Sequence, residues 1–521
     1  MNSDKKFSRR SLVRSAGLFG SVTMVSRVLG LVRDVLSAGL FGTTAVWDSF
    51  VIAFTIPNMF RMLLGEGALA GAFVPVFTEY LHKKGESEAW HFANRVITLL
   101  SLVLVAIVIA GWCGCGLILQ FEISSRLRDI LILSMILLPY LFFICNVGLL
   151  MGILNTFYHF FLPAFNPIIL NIVLISFILG LNRLASVSLG TRAVILSCGV
   201  IVGGILQFAS HFMLVKRKGL SYKFSFDLSD RGVKKVWTLM LPALVGLSIT
   251  QLNLMVDRFL AYLIGAGAAS FLYYSNRLIQ LPVGVFGVAL ASTSFPLLTH
   301  NAVSGKMDEF KDNLSHVIRM MLFIAIPATF GLIILSKPII RMIFEHNEFD
   351  SFSTSSTAVS LIYYSIGLGA FCCNKIIIRA FYSLQDTKTP VRIGLFSLCL
   401  NVILNLLLMI PLKHGGLALS TSITAFVSFF LLLGNLKKKI GGFLDKSFFR
   451  SIRVSAVSSL MMMIAVYWGY SYLATIFKVG LWGNIIVAGG GVLIGSATYF
   501  LSSYLLKSEE IDSLFRMFLK K

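Results

Sequence analysis

Fourteen stretches of this chain stay mainly apolar for about twenty residues or more, the length a helix needs to cross a ~30 Å hydrocarbon core. They centre on residues 16–41, 46–80, 90–119, 128–156, 162–182, 190–215, 235–263, 268–299, 315–336, 356–383, 391–411, 416–436, 451–476 and 480–505. Only 13% of the 521 residues are charged, whereas a soluble globular chain carries roughly 25%. The chain reads as an all-α polytopic membrane protein. The second and eighth stretches are long and interrupted, by Pro57, Gly65, Gly67 and Pro75 and by Pro282, Gly284 and Pro296. Such interruptions are tolerated at membrane depth where the freed backbone is buried in protein or lines a cavity.

The net charge of +22 raises nucleic-acid binding, but the basic residues punctuate apolar runs instead of interleaving with aromatics in one polar domain. No nucleic-acid partner is expected. Their distribution carries topology instead. Alternate connecting segments, beginning with residues 1–15, hold 29 Lys/Arg, and the opposite set holds 8. By the positive-inside rule both termini are expected in the cytoplasm. Ser8-Arg9-Arg10-Ser11-Leu12 resembles a twin-arginine export signal. The apolar run after it continues through Arg27, Arg33 and Asp34 without a small-residue cleavage site, so a basic tail followed by a first span is the better reading.

The two halves repeat at an offset of about 224 residues. Asp34 and Gly42 close the first span as Asp257 and Gly265 close the seventh; the two broken spans correspond, and Phe157-Tyr158 corresponds to Phe381-Tyr382. Six spans per half makes this a parallel repeat, an arrangement known among transporters. The expected organisation is a basic tail (1–15), an N-lobe (16–215), a cytoplasmic linker (216–234), a C-lobe (235–436), two further spans (451–506) and a tail (507–521).

A charge at the bilayer centre costs at least ~2.5–3.5 kcal/mol on insertion scales and marks a functional site by default. Arg27, Arg33, Asp34, Asp48, Arg61 and Glu66 fall within forty residues, and Asn58 shares a helix face with Arg61. Arg277 stands in the other half with no acid near it in sequence. Arginine is always charged and bidentate, which suits phosphate and carboxylate oxygens. Arg27, Arg33, Arg61 and Arg277 are therefore the expected holders of an anionic head group in a net-positive cavity. Asp34, Asp48, Asn58 and Glu66 are expected to position them or to gate. The competing reading is a set of salt bridges, Arg27 or Arg33 with Asp34, Asp48 or Glu66, that staple helices together.

A second polar cluster, Asp257, Asn401, Asn405 and Thr421, places oxygens inside apolar spans, with Asn401 and Asn405 one turn apart. A hard monovalent cation or plain interhelical hydrogen bonding would each account for it. The seven cysteines all lie in apolar stretches without metal or redox spacing and are expected to be buried free thiols. No catalytic constellation is present: the eight histidines form no paired motif, and Gly489-Gly490-Gly491 lacks the Lys-Ser/Thr of a phosphate loop and reads as helix packing. The chain is expected to be a transporter, not an enzyme. A membrane glycosyltransferase would need longer outward loops, and a cationic-drug exporter a negative cavity.

The chain resembles the MurJ/MviN lipid II flippases, within the superfamily of multidrug, oligosaccharidyl-lipid and polysaccharide exporters. The resemblance is carried by residues 26–34 (Ser26 to Asp34), Trp47-Asp48-Ser49-Phe50, Ile56-Pro57-Asn58-Met59-Phe60-Arg61, Glu66-Gly67-Ala68, Ala72-Phe73-Val74-Pro75, Tyr273 to Leu278 and the loop Ile343 to Phe349. It implies two six-helix lobes plus two C-terminal helices whose groove takes a lipid tail. It implies a lipid II substrate, an undecaprenyl-pyrophosphate-linked disaccharide pentapeptide flipped outward for peptidoglycan synthesis, and action as a monomer. Arg27, Arg33, Arg61 and Arg277 match the family's essential arginines, and Asp48 its acidic position. Asp257, Asn401, Asn405 and Thr421 resemble a sodium site of the family, with Asn405 where an acid can occur, so sodium is the one candidate ion and no other cofactor is expected. Gln280 departs from a glutamate that some members carry. The alternative within the superfamily is export of another polyprenyl-linked glycan or amphiphile.

Overall fold

The computed structural model describes residues 9–65, 67–183, 186–477 and 480–511, with the side chains of all of these except 9–20, Val245 and Leu481. Among them there is no β-strand. Two compact units divide the chain, residues 1–255 and 256–521.

The first unit contains α1 (Arg9–Phe41), α2 (Ala45–Phe60), a π turn (Arg61–Gly65), α3 (Ala68–Lys83), α4 (Glu86–Ile118), α5 (Ser125–Leu137), α6 (Tyr140–Thr156), α7 (Phe161–Asn182) and α8 (Leu189–Arg217). Most of α9 (Arg231–Ile264) belongs to it as well, so the linker and the start of the seventh expected span sit with the N-terminal unit. The second unit continues with α10 (Ala268–Pro282), a second π turn (Val283–Gly287), α11 (Val288–Val303), α12 (Met307–Ile334), α13 (Ser336–Phe344), α14 (Ser351–Ile366), α15 (Leu368–Ser383), α16 (Lys388–Leu412), α17 (His414–Ile440), α18 (Lys446–Ile476) and α19 (Leu481–Leu505). Among the described residues, ten helices are long and apolar enough to cross a membrane, or up to thirteen if each bent pair is one span. The 33-residue α1 is a further segment, so the helix order accommodates the fourteen expected.

Both interrupted spans are broken by a π turn, and each π turn follows closely on a proline, Pro57 or Pro282. A proline removes a backbone donor and clashes with the preceding turn, so the ladder locally rewinds. The repeat extends to the helix that packs against each π turn. In the first unit Gly148 of α6 lies against Gly65: a Cβ on Gly148 would stand 2.1 Å from the Gly65 carbonyl oxygen. In the second unit Gly287 faces Cys372 of α15, where a Cβ would stand 3.1 Å from Sγ. The pairs α5/α6 and α14/α15 are bent by 42° and 43°. Small residues let membrane helices approach closely, because lipid offers no hydrophobic drive for association.

The core of the first unit is aromatic, with Phe73, Phe77 and Phe92 fully buried and Phe73 stacked on Phe92 at 5.6 Å between ring centroids. In the second unit α18 and α19 pack through small residues: a Cβ on Gly490 would lie 2.6 Å from Leu473, and one on Gly495 2.9 Å from Val466. Helix packing is thus what Gly490 does, as its sequence context suggested. The loop after α15 is tied to the end of α17. Burial raises the Asp386 carboxyl, but hydrogen bonds from Lys439 at 2.9 Å and from Thr389 outweigh it and hold the pKa at about 2. The seven cysteines are all free, but Cys113, Cys198 and Cys399 are exposed on the helix surface, which corrects the expectation that every one is buried. In a chain whose solvent is lipid, an apolar position is as well placed outward as inward.

Candidate functional site

Arg33 and Asp34 are neighbours on α1. The Arg33 guanidinium donates Nε and Nη2 to Asp34 Oδ1 at 3.1 and 2.7 Å. Its Nη1 donates to Oδ1 of Asn171 on α7 at 3.1 Å, and the Asn171 amide donates back to the Ser26 carbonyl at 3.2 Å. Asp34 is buried, at 1% exposure, whereas Arg33 and Arg27 are half-buried. The arrangement holds the guanidinium plane in place from two helices. Asn171 was not legible as a partner: one asparagine in an apolar run gives no sign of which helix it will face.

Asp48, in the first turn of α2, is fully buried and pairs at 2.9 Å with Arg126 in the first turn of α5. The sequence offered Arg27 and Arg33 as its partners, and Arg126 was not among them. A buried carboxylate requires a partner of excellent geometry, and the fold brings it from 78 positions away. Asp48 thus fastens α2 to α5, which is the stapling reading for this residue.

Arg61 opens the first π turn, and its Nε and Nη2 both donate to Oδ1 of Asn58 at 3.1 and 3.0 Å. The expected i,i+3 pairing is therefore formed. A rewound turn advances the backbone out of phase with the α-helix, which is one reason such turns recur at functional sites. Glu66 lies outside the described residues. Arg277 sits half-buried on α10 of the second unit, five residues ahead of Pro282, with Gln280 exposed one turn further on.

The second cluster closes within the second unit. Asn405 Nδ2 on α16 donates to Asp257 Oδ1 at 2.7 Å and to Asn401 Oδ1 at 2.8 Å. The Ser420 hydroxyl on α17 donates to Asn405 Oδ1, and Asn401 Nδ2 reaches Thr421 Oγ1 at 3.5 Å, the outer limit of a hydrogen bond. Ser420, which the sequence reading passed over for Thr421, is the more closely engaged. Arg258 donates Nη1 to the Ala269 carbonyl at 2.7 Å and lies over the Tyr273 ring. As arranged, the four side chains are joined by the hydrogen bonds of the plain interhelical reading. The donor set also suits a monovalent cation: one carboxylate, two amides and two hydroxyls supply hard oxygens and a single negative charge, once the Asn405 amide turns its oxygen inward.

Comparison with known proteins places these residues in context. The family model described as lipid II flippase MurJ matches residues 37–488. A probable lipid II flippase MurJ of Vibrio cholerae serotype O1 is 34% identical over 95% of this chain and 96% of its own length. Its counterpart in Rickettsia prowazekii is 33% identical over 96% and 99%. Among solved structures, a lipid II flippase MurJ in an inward closed conformation aligns with a TM-score of 0.77 at 29% identity, covering 94% of this chain and 98% of that one. An inward-facing multidrug transporter of the MATE family aligns with a TM-score of 0.67 at 13% identity over 83% and 99%, a likeness of fold alone. With the family model spanning most of the sequence and relatives aligned nearly end to end, this multi-pass membrane protein belongs to the lipid II flippase MurJ family, whose members are transporters and not enzymes.

Proposed function

We propose that this chain moves lipid II from the cytoplasmic to the outer leaflet of the inner membrane by alternating access, supplying peptidoglycan synthesis. Arg27, Arg33 and Arg61 of the first unit and Arg277 of the second bind the pyrophosphate. Asp34 and Asn58 position Arg33 and Arg61, and Asp48 latches α2 to α5. The observation that carries this reading is the set Arg27, Arg33 and Arg61, half-buried on apolar helices, where an arginine without a task is costly. Their fork geometry matches a diphosphate, which needs several donors at once. The basic connecting segments lie on the cytoplasmic side together with both termini, and they draw the anionic lipid from that leaflet. The protein works as a monomer. Depleting it from cells is expected to remove lipid II from the outer leaflet; undiminished outer-leaflet accessibility, with no second flippase present, would overturn the reading.

The Asp257 cluster is proposed to hold sodium through Asp257, Asn401, Asn405 and Thr421, with Ser420 beside them. When bound, the ion would supply a positive charge that ties α9, α16 and α17 together. Sodium is expected to raise the unfolding temperature of the purified protein where equimolar potassium does not, and Asp257→Asn is expected to erase the difference. Equal stabilisation by the two ions in the parent protein would leave the cluster as hydrogen bonding alone.

A further inference from the structure

The linker between α8 and α9 is not slack. Gly219, at φ +117°, passes so close to Trp90 of α4 that a Cβ would lie 3.0 Å from its Nε1. Leu220 is buried in the core of the first unit. The Asn94 amide of α4 then donates to the Ser221 carbonyl at 2.8 Å, and the Ser225 backbone N–H donates to Thr98 Oγ1 at 3.3 Å. Arg95 pairs with Asp230 at 2.7 Å, and Asp230 in turn accepts from the N–H groups of Gly232 and Val233 at the start of α9. Asp227 accepts from both the hydroxyl and the N–H of Ser229, which, with Arg95 nearby, hold its carboxyl below the usual range. Residues 220–230 form an extended strap laid along α4.

From Phe224 onward the strap alternates. Ser225 and Asp227 are half-buried against α4, while Phe224, Phe226 and Leu228 turn outward at 68%, 58% and 58% exposure; Tyr222 instead brings its hydroxyl to 3.3 Å from Thr98 Oγ1 on α4. An extended backbone places every second side chain on one face, so three large apolar side chains, Phe224, Phe226 and Leu228, are gathered into a single row. A row like this marks an interaction surface. Lys216, Arg217, Lys218 and Lys223 flank it and are all exposed.

Position along α4 identifies what covers the row. From Thr98 to the end of α4 at Ile118 is about 30 Å of helix, the thickness of the hydrocarbon core. The part of α4 under the strap, from Trp90 to Thr98, therefore stands about 12 Å beyond the core, at head-group depth. Aromatic side chains concentrate at that depth, and basic residues beside them attract anionic lipids. We propose that residues 220–230 are an interfacial anchor that seats Phe224, Phe226 and Leu228 in the cytoplasmic leaflet, with Lys216, Arg217, Lys218 and Lys223 on anionic head groups. The side of the membrane rests on the topology proposed above; the seating in lipid does not.

The test places p-benzoylphenylalanine at position 224 of the full chain, reconstituted in vesicles of phosphatidylcholine with or without phosphatidylglycerol, followed by ultraviolet cross-linking and mass spectrometry. A phospholipid adduct is expected at that position. Its yield is expected to rise about fivefold with phosphatidylglycerol, the factor that one basic residue's attraction to an anionic surface gives. Absence of a lipid adduct from folded protein overturns the proposal, as does a yield indifferent to the anionic lipid. The same label irradiated in cells reports the other occupant: a dominant cross-link to a protein would show that a partner, not the bilayer, covers the row. The readout needs no translocation, so a chain that failed to flip lipid II would still answer it.

Discussion

Replacing Arg61 by alanine is expected to lower lipid II translocation by about 10- to 100-fold while the protein stays folded. The magnitude follows from losing charge-assisted hydrogen bonds worth about 1.5–3 kcal/mol in the transported state. Folding should survive because the Arg61 guanidinium is held by Asn58 one turn earlier on the same chain segment, and alanine is a good helix residue. Arg61→Lys keeps the charge but not the fork, so an intermediate loss is expected. Outer-leaflet accessibility of lipid II, read beside the unfolding temperature of the purified variant, checks the pair. Full translocation by Arg61→Ala would remove this residue from the binding set.

The second large effect is structural. A Cβ on Gly148 would meet only backbone, at 2.1 Å from O, 2.3 Å from Cα and 2.5 Å from C of Gly65. No side-chain rotation relieves that, so α6 and the π turn must separate. Gly148→Ala is expected to cost about 3 kcal/mol, at the upper end of the usual overpacking range, and to lower translocation by displacing Arg61 at the head of the turn. Gly71→Ala is the control: nothing lies within 4 Å of its added Cβ, and no loss of stability is expected, since alanine is favoured over glycine in a helix by up to about 1 kcal/mol. Gly287→Ala in the second unit meets Cys372 Sγ at 3.1 Å, a contact that yields more easily, and should fall between the two. Thermal unfolding of the three variants in one detergent gives the order; equal stability of Gly148→Ala and the parent would show that the two segments are not packed at this distance.

Several of these relations were visible in the chain before folding. Asn58 and Arg61 are one helical turn apart, so their contact follows from the 3.6-residue period once a helix is assumed. The broken spans announced themselves through Pro57 and Pro282, and the repeat said that they correspond. Asn401 and Asn405 likewise face together because they are four residues apart. Asp48 shows where this kind of reading ends. Its partner Arg126 comes from another helix, and the composition of the intervening segment holds nothing that pairs α2 with α5. Asn171 beneath Arg33, and Ser420 in place of Thr421 as the nearer hydroxyl of the second cluster, are the same case: each depends on the rotation of one helix about its axis relative to another.

The sequence by itself determined that the chain is helical and membrane-embedded, where its helices break, and which arginines fall inside apolar stretches. Those properties depend on local hydropathy, on proline, and on the energy of a charge in hydrocarbon, all of which are set residue by residue. Only the tertiary structure decided that Asp48 belongs to Arg126, that Gly148 touches Gly65, and that the linker is an ordered strap with an aromatic face. Those are contacts between segments distant in sequence, and their energies depend on approach distances of a few tenths of an ångström that no single-chain periodicity encodes.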